Sequence, residues 1–312
     1  CPGLRASAPS GRAACGRCPG LRASAPSGRA ACGRCPWAMN FWASGRVALC
    51  LSGRTNFSNF PNNFSNFCIK KKEITKMKEN NKIAGSVKAI AFDADDTLWA
   101  LQNYFEDVED EYCDLLSDYG SKEEISASLF ETESGNMEDL GYGVKAFTIS
   151  LVENAVKVSQ GKVPAKLIGR IVELGKTLLR LDARPLEGVE ETLARLRQTR
   201  HYKLAVFTKG ELQDQENKLW RSGLQRYFDV VSIVSDKTPE AYRRLCRELE
   251  VKPEELVMVG NSFKSDIVPA LKIGASAVHI PFHTTWAHEK TEEFAHERLR
   301  RISRFEEIMD IL

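Results

Sequence analysis

The chain has 312 residues and a formal charge of +2, which conceals two unlike parts. Residues 1–72 carry eight arginines, three lysines and no acidic residue, whereas the other 240 residues sum to −9. The acidic part offers no basic stripe for nucleic acid, and no run of 18 apolar residues predicts a transmembrane helix. We therefore expect neither a nucleic-acid partner nor a membrane.

Residues 1–82 are predicted to form a low-complexity, disordered leader outside the folded core. Residues 1–17 recur letter for letter as 18–34, and one leucine per copy is too little apolar surface to build a core. Two cysteine pairs have the C-x-x-C spacing of a four-cysteine zinc site, Cys15 with Cys18 and Cys32 with Cys35. Duplication of one stretch explains both pairs without a metal, and we favour it.

The composition of this leader has two interpretations. An Arg-, Ser- and Ala-rich segment without acids resembles a transit peptide, but translated upstream sequence before a start at Met39 or Met77 looks the same. We favour the second interpretation. The other cysteines show no pairing pattern, which favours a reducing compartment, and the predicted location is the cytoplasm.

From Val87 onward, short apolar runs alternate with amphipathic stretches. The apolar runs predict β-strands at 87–92, 203–207, 230–234, 256–259 and 275–280. The amphipathic stretches predict helices at 188–200, 211–222, 239–250 and 265–273. This alternation is typical of an α/β fold with a doubly wound, mostly parallel sheet, whose ligands bind beyond the carboxyl ends of the strands.

Residues 101–184 interrupt the alternation and predict an all-helical cap, inserted into a core of residues 83–100 and 185–312. The predicted helices lie at 102–118, 121–131, 144–159 and 163–181, where Ser121 and Glu124 have capping-box spacing and Pro164 suits a first helical turn. A helical bundle over a reactive edge can act as a lid that excludes water. An unrelated helical decoration is the alternative.

Three carboxylates, Asp93, Asp95 and Asp96, follow the first predicted strand. Such a cluster is costly to desolvate, so a divalent metal is predicted to offset it. The alternative is an acidic turn that caps the next element. Polar side chains at the other strand exits, which would meet at the same edge of the sheet, favour a shared site.

Each of these later exits carries a group that could complete such a site. Thr208 and Lys209 follow the second strand and suit anion binding near a helix start. Lys237 follows the third strand, and Asn261 and Asp266 follow the fourth. Singly they could be a capping threonine, a solvated lysine and a turn asparagine. Their occurrence in order, each at a strand exit, favours one functional site.

The four segments together resemble the motifs of the haloacid dehalogenase-like hydrolase superfamily, over about residues 86–312. Asp93–Thr97 resembles the first motif, Asp-x-Asp-x-Thr, and Thr208, Lys237 and Gly260–Asp266 resemble the second to fourth. The insertion between the first two motifs is similar to the C1 class of cap. The resemblance implies a Mg²⁺-dependent phosphomonoesterase that acts on a small phosphorylated metabolite through an aspartyl-phosphate.

The resemblance also implies roles for individual residues. Asp93 would be the nucleophile, and Asp95 would act first as general acid and then as general base. The phosphoryl group would contact Thr208, Lys209 and Lys237. Mg²⁺ would be held by Asp93, Asp95 through its carbonyl, Asn261 and Asp266. Thr97 is expected to hold the loop rather than to contact substrate.

Two of these residues refine the prediction. Superfamily members that cleave carbon–halogen or phosphonate bonds lack an acid at the position of Asp95, so its presence favours phosphate esters. Asn261 stands where many phosphatases of this class have a metal-binding aspartate. An amide oxygen can bind Mg²⁺ but lacks the charge, so we expect weaker metal binding and a larger share for Asp266.

Substrate specificity is expected to come from the cap. Tyr142 and Lys145 would form an aromatic and cationic loop that contacts a sugar or a base, with a plain interhelical loop as the alternative. Trp286 is expected to pack under the site. His283 and His288 match no metal-ligand spacing, so a metal pair there is disfavoured.

Two other functions stay open at this point. A phosphotransferase or sugar-phosphate mutase would use the same residues if the cap excluded water. A non-enzymatic phosphate-binding protein would keep the binding groups without turnover. The presence of both Asp93 and Asp95 with Thr208 and Lys237 argues against the second alternative.

Overall fold

The computed structural model describes residues 82–83, 85–284 and 286–312. The predictions for the leader, including its cysteine pairs, therefore lie almost entirely outside the described residues. Within the described ranges, no helix is both long enough and apolar enough to cross a membrane. Cys113 and Cys246 are buried free thiols.

One sheet of parallel strands forms the centre of the core, in the order β3-β2-β1-β4-β5-β6. The strands are β1 (Ala89–Phe92), β2 (Lys203–Lys209), β3 (Val230–Val234), β4 (Leu256–Gly260), β5 (Ser276–His279) and β6 (Leu299–Arg301). The predicted α/β fold with a parallel sheet is confirmed. The edge strand β6 was not predicted, because three residues with partly exposed side chains leave no apolar run to detect.

The helices fall into a group that follows β1 and a group that surrounds the sheet. The first group comprises α1 (Gln102–Leu115), α2 (Lys122–Leu140), α3 (Val144–Val158) and α4 (Ala165–Leu178). The second comprises α5 (Val189–Thr199), α6 (Leu212–Ser222), α7 (Pro239–Leu249), α8 (Val268–Lys272) and α9 (Ile308–Ile311). A single π-helical turn, Phe263–Ile267, leads directly into α8 where one continuous helix was predicted.

Side chains alternate along β1, and both faces of the strand are buried. Ile90 and Phe92 face a layer that includes α5 and α9. Ala89 and Ala91 face the opposite layer, in which Tyr242 of α7 is fully buried. Burial on both faces explains why the strand appears in the sequence as a nearly continuous apolar run.

Helices α1 to α4, the helices of the predicted cap, pack around an apolar core of their own. The capping box at Ser121 is formed, since its hydroxyl accepts from Glu124 N and the Glu124 carboxylate accepts from Ser121 N at 2.9 Å. Helix α2 extends to Leu140 rather than to residue 131. The second half of this helix is mostly polar and partly faces a cavity. The periodic apolar pattern that predicts the start of the helix therefore does not continue to its end.

The two connections to this helical segment lie side by side. Trp99 forms β-bridges with both Asp95 and Pro185, and Leu186 N donates to Leu98 O at 2.9 Å. Both connections therefore run beside the carboxylates that follow β1. The exact boundaries of the cap and the core stay predictions.

Candidate active site

Groups from the exits of three strands meet around Asp93. Its backbone N–H donates to Val259 O of β4 at 2.9 Å, which fixes the start of the loop after β1. The ammonium group of Lys237, which follows β3, contacts the carboxylates of both Asp93 and Asp266, the latter at 2.6 Å. The structure thus brings together three of the predicted site residues in one buried cluster.

The electrostatics of this cluster follow from its burial. Burial raises the pKa of Asp93 to about 7, with further contributions from the nearby charges of Asp266 and Asp95, while Lys237 opposes the rise. Burial also opposes the charge on Lys237, but Asp266 and Asp93 outweigh it and raise the pKa of the ammonium group. Two carboxylates share one ammonium group in this cluster, so further positive charge beside Asp93 would be favourable.

The Asp95 carboxylate is held by donors on several sides. Trp99 Nε1 donates at 2.8 Å and Gln215 Nε2 at 2.7 Å. Lys218 Nζ lies 2.8 Å from Oδ1 and 3.0 Å from Oδ2. Lys218 is 1% exposed and also pairs with Asp214 at 3.3 Å. The Asp95 carboxylate is therefore held by two side chains of α6, Gln215 and Lys218.

The third carboxylate, Asp96, has a different position. Its Oδ1 accepts from the backbone N–H groups of Leu101 at 2.7 Å and Gln102 at 3.0 Å, so it caps the start of α1. The residue adopts a left-handed backbone conformation, with φ of 60°. Burial raises its pKa to about 6, against the effect of the two backbone donors. Of the three carboxylates, Asp96 therefore has the role that the alternative prediction of an acidic capping turn gave.

The oxygen atoms near Asp93 are of the chemical types that bind Mg²⁺ in proteins. Thr97 Oγ1 lies 3.3 Å from both Asp93 Oδ2 and Asn261 Oδ1, so it holds a carboxylate and an amide oxygen on the same side. Mg²⁺ is typically bound by one or two carboxylates together with substrate phosphate and waters. No group of three or more His, Cys, Asp or Glu side chains in the described ranges is arranged as a metal site. Such a site would therefore depend on the Asn261 amide and the Asp95 carbonyl.

Asp266 is fully buried, and both of its carboxylate oxygens are already used. One contacts Lys237, and the other accepts from Ser262 N at 2.9 Å. Gly260 lets this carboxylate approach, because a Cβ at that position would overlap the Asp266 carboxyl group. In this arrangement Asp266 shapes the turn after β4 and orients Lys237.

Thr208 and Lys209 at the end of β2 have different surroundings. Thr208 is buried and lines the same cavity as Asp93. The Lys209 ammonium pairs with Glu289, lies 3.2 Å from Ser265 Oγ, and sits 3.9 Å from the ring centre of Tyr142. Its charge is directed at Glu289 rather than at Asp93.

Only one of the two predicted specificity residues lines the cavity. Tyr142 is part of the lining, and its ring meets Trp286 edge-on with the ring centres 5.9 Å apart. Lys145 lies outside the lining and reaches the start of α6, at 3.1 Å from Glu211 Oε1 and 3.2 Å from Gln213 Oε1. Its position at the N-terminal end of α3 directs it toward the core.

The loop after β5 touches the cap at separate points. His283 Nε2 lies 2.8 Å from Asn103 Oδ1, whereas the His288 ring stacks on Phe130 at 4.3 Å. The two histidines are therefore not brought together as a metal pair. Trp286 lines the cavity itself.

Several residues of the site were missed by sequence reasoning. Gln215 and Lys218 are spaced three apart on α6, which puts them on one face, but a charged amphipathic helix usually presents such residues to solvent. Glu289 accepts from Lys209, Ser262 and Ser265 Oγ, the last at 2.7 Å. Although burial opposes its ionisation, Lys209 and the hydroxyls lower the pKa of Glu289. Its loop carried no detectable motif.

A cavity of about 200 Å³ joins these groups. Its core wall contains Asp93, Asp95, Thr208 and Lys237, and its other wall is formed by cap residues from α1, α2 and α3. A ligand in this cavity would contact the Asp93 cluster at one end and the cap at the other.

Comparison with known proteins gives consistent matches. The sequence pattern of the haloacid dehalogenase-like hydrolases matches residues 87–274. A glyceraldehyde 3-phosphate phosphatase of Methanothermobacter thermautotrophicus is 28% identical over 212 residues, which cover 64% of this chain and 88% of that protein. The human N-acylneuraminate-9-phosphatase is 31% identical over 96 residues, or 29% of this chain and 38% of that protein. The crystal structure of a haloacid dehalogenase-like family hydrolase from Xanthomonas campestris has 32% identity and a TM-score of 0.62, covering 71% of this chain and 90% of that one.

Proposed function

The chain belongs to the haloacid dehalogenase-like hydrolases and is a phosphatase of that family, and we propose that it hydrolyses small phosphate monoesters with Mg²⁺ through an aspartyl-phosphate. The observation that carries the proposal is the convergence of Asp93, Lys237 and Thr208 beside a cavity that Asp95 also lines. This set contains a nucleophile, a phosphate-binding cation and hydroxyl, and an acid.

In the first half of the proposed reaction, a carboxylate oxygen of Asp93 attacks phosphorus. Asp95 takes up a proton before this step. The bond between phosphorus and the ester oxygen breaks, and Asp95 gives that proton to the ester oxygen, which leaves as the alcohol. Lys237 and the Thr208 hydroxyl hold the phosphoryl oxygens during transfer. Positioning and charge neutralisation supply most of the rate in phosphoryl transfer.

In the second half, Asp95 takes a proton from a water molecule whose oxygen attacks phosphorus. The bond between phosphorus and the Asp93 oxygen breaks, which releases inorganic phosphate and restores the Asp93 carboxylate. Bound Mg²⁺ would supply further charge neutralisation to the phosphoryl oxygens. Asp93, Asn261 and the Asp95 carbonyl would hold it, while Asp266 would orient Lys237.

The test is hydrolysis of an aryl phosphate by the wild type and by Asp93→Asn, with Mg²⁺ and with EDTA. We expect metal-dependent release of phosphate that falls at least about 1,000-fold in Asp93→Asn. The matched control is Asp139→Asn, an exposed aspartate on α2, which should keep wild-type activity. Phosphoenzyme that accumulates without phosphate release would instead identify a phosphotransferase, and turnover retained in Asp93→Asn would overturn the proposed nucleophile.

A further inference from the structure

The cap wall of the cavity is acidic. Glu109 of α1 and Glu133 of α2 both line it, together with Asn136. Under the proposed function, the phosphate end of a substrate lies at Asp93. The alcohol part of the substrate then points toward these cap residues.

The lysines that line this cavity are already paired. Lys237 contacts Asp93 and Asp266, Lys218 contacts Asp95, and Lys209 contacts Glu289. Each ammonium group therefore has a carboxylate partner within the described residues. A second anionic group on a substrate would find no lysine of the lining without a partner.

Glu133, by contrast, has no partner among the residues that the structure describes. It is partly buried and forms neither a hydrogen bond nor an ion pair with any described residue. Burial is the largest cause that raises its pKa, to about 7, and the neighbouring Glu109 adds to the effect. A carboxyl group in this setting is stabilised by a hydrogen-bond donor or a positive charge from a ligand.

We propose that this cavity selects phosphate monoesters whose alcohol part carries hydroxyl or ammonium donors and no second anionic group, with Glu133 as a specificity-determining residue. The proposal rests on the proposed phosphatase function and narrows its substrate class. A carboxylate or second phosphate on the alcohol part would face Glu133 and Glu109 without a compensating cation, which disfavours its binding.

The test compares kcat/KM for two series of phosphate monoesters, each built on one carbon skeleton. The three-carbon series is glycerol 3-phosphate, serinol phosphate and 3-phosphoglycerate; the six-carbon series is glucose 6-phosphate, glucosamine 6-phosphate and 6-phosphogluconate. In at least one series we expect the hydroxyl or ammonium compound to exceed the carboxylate compound by roughly tenfold or more. Whichever of the hydroxyl and ammonium compounds reacts faster identifies the donor.

The ratio of kcat/KM for the hydroxyl or ammonium compound to kcat/KM for the carboxylate compound is then measured in Glu133→Gln. This substitution removes the negative charge but keeps the shape of the side chain. We expect the preference over the carboxylate compound to shrink by several-fold. The matched control, Glu138→Gln, changes an exposed glutamate on the same helix and should leave the ratio as in the wild type.

Two results would overturn the inference while leaving the phosphatase function intact. One is equal or faster cleavage of the carboxylate compound in both series, and the other is an unchanged ratio in Glu133→Gln. Hydrolysis of an aryl phosphate by the wild type serves as the common reference. If that reference reaction is absent, the proposed function fails, and this inference fails with it.

Discussion

Lys218 and Asp95 form a buried ion pair in which one ammonium group lies 2.8 Å and 3.0 Å from the two carboxylate oxygens. The lysine comes from α6 and the aspartate from the loop after β1, 123 positions apart in the chain. The pair links the proposed acid–base residue to a helix of the core. Because Asp214 shares the same ammonium group, a single lysine balances two carboxylates.

Replacing Lys218 with methionine should therefore destabilise the protein. The substitution leaves Asp95 and Asp214 without their cation, and removal of one partner of a buried pair costs about 3–5 kcal/mol. Urea unfolding of Lys218→Met measures the loss. The control is Lys166→Met at an exposed lysine, which should stay within about 0.5 kcal/mol of wild type. An equal change in both variants would contradict the pairing.

A matched pair of glycine substitutions tests the turn after β4. Gly260→Ala places a methyl group against the Asp266 carboxyl group and should cost about 1–3 kcal/mol of unfolding free energy, with loss of activity. Gly135→Ala, within α2, meets nothing within 4 Å and should stabilise by about 0.5–1 kcal/mol. Urea unfolding and an aryl phosphate assay of both variants check this. Full activity in Gly260→Ala would show that Asp266 can move freely.

Asn261→Asp should tighten the binding of Mg²⁺. The amide oxygen faces the same hydroxyl as Asp93 Oδ2, so a carboxylate there adds negative charge beside the proposed metal. An added attraction of about 1.4 kcal/mol lowers the half-saturating Mg²⁺ concentration tenfold. Activity titrated with Mg²⁺ measures it, with Asn217→Asp at an exposed site on α6 as control. Unchanged saturation would place the metal away from this side chain.

The stability contribution of Glu133 should decrease as the pH rises. Its pKa is raised from 4.5 to about 7 in the folded protein, so the folded state binds more protons than the unfolded state between these values. The unfolding free energy of wild type relative to Glu133→Gln should therefore fall, by up to about 3 kcal/mol, between pH 4 and pH 8. Urea unfolding at several pH values checks this. A difference that grows with pH would contradict the raised pKa.

The three carboxylates after β1 illustrate how far sequence reasoning reaches. Their position at a strand exit predicted both a shared site and, as an alternative, a capping turn. Asp93 and Asp95 line the cavity as the first prediction requires, and Asp96 caps α1 as the second requires. Adjacent residues differ in role because the backbone turns at Asp96, with φ of 60°. No pattern of residue types specified where that turn falls.

Local sequence patterns were enough to predict the parallel α/β fold and the edge of the sheet where the site lies. Apolar runs followed by polar groups are local features, and the carboxyl ends of parallel strands meet at one edge. Which charged side chains pair with one another became known from the three-dimensional arrangement. Lys218 pairs with Asp95, 123 positions away in the chain, and Lys209 pairs with Glu289, 80 positions away. Glu133 has no partner among the residues that the structure describes. Such pairings depend on how helices and loops pack, so residue types and spacing alone do not specify them.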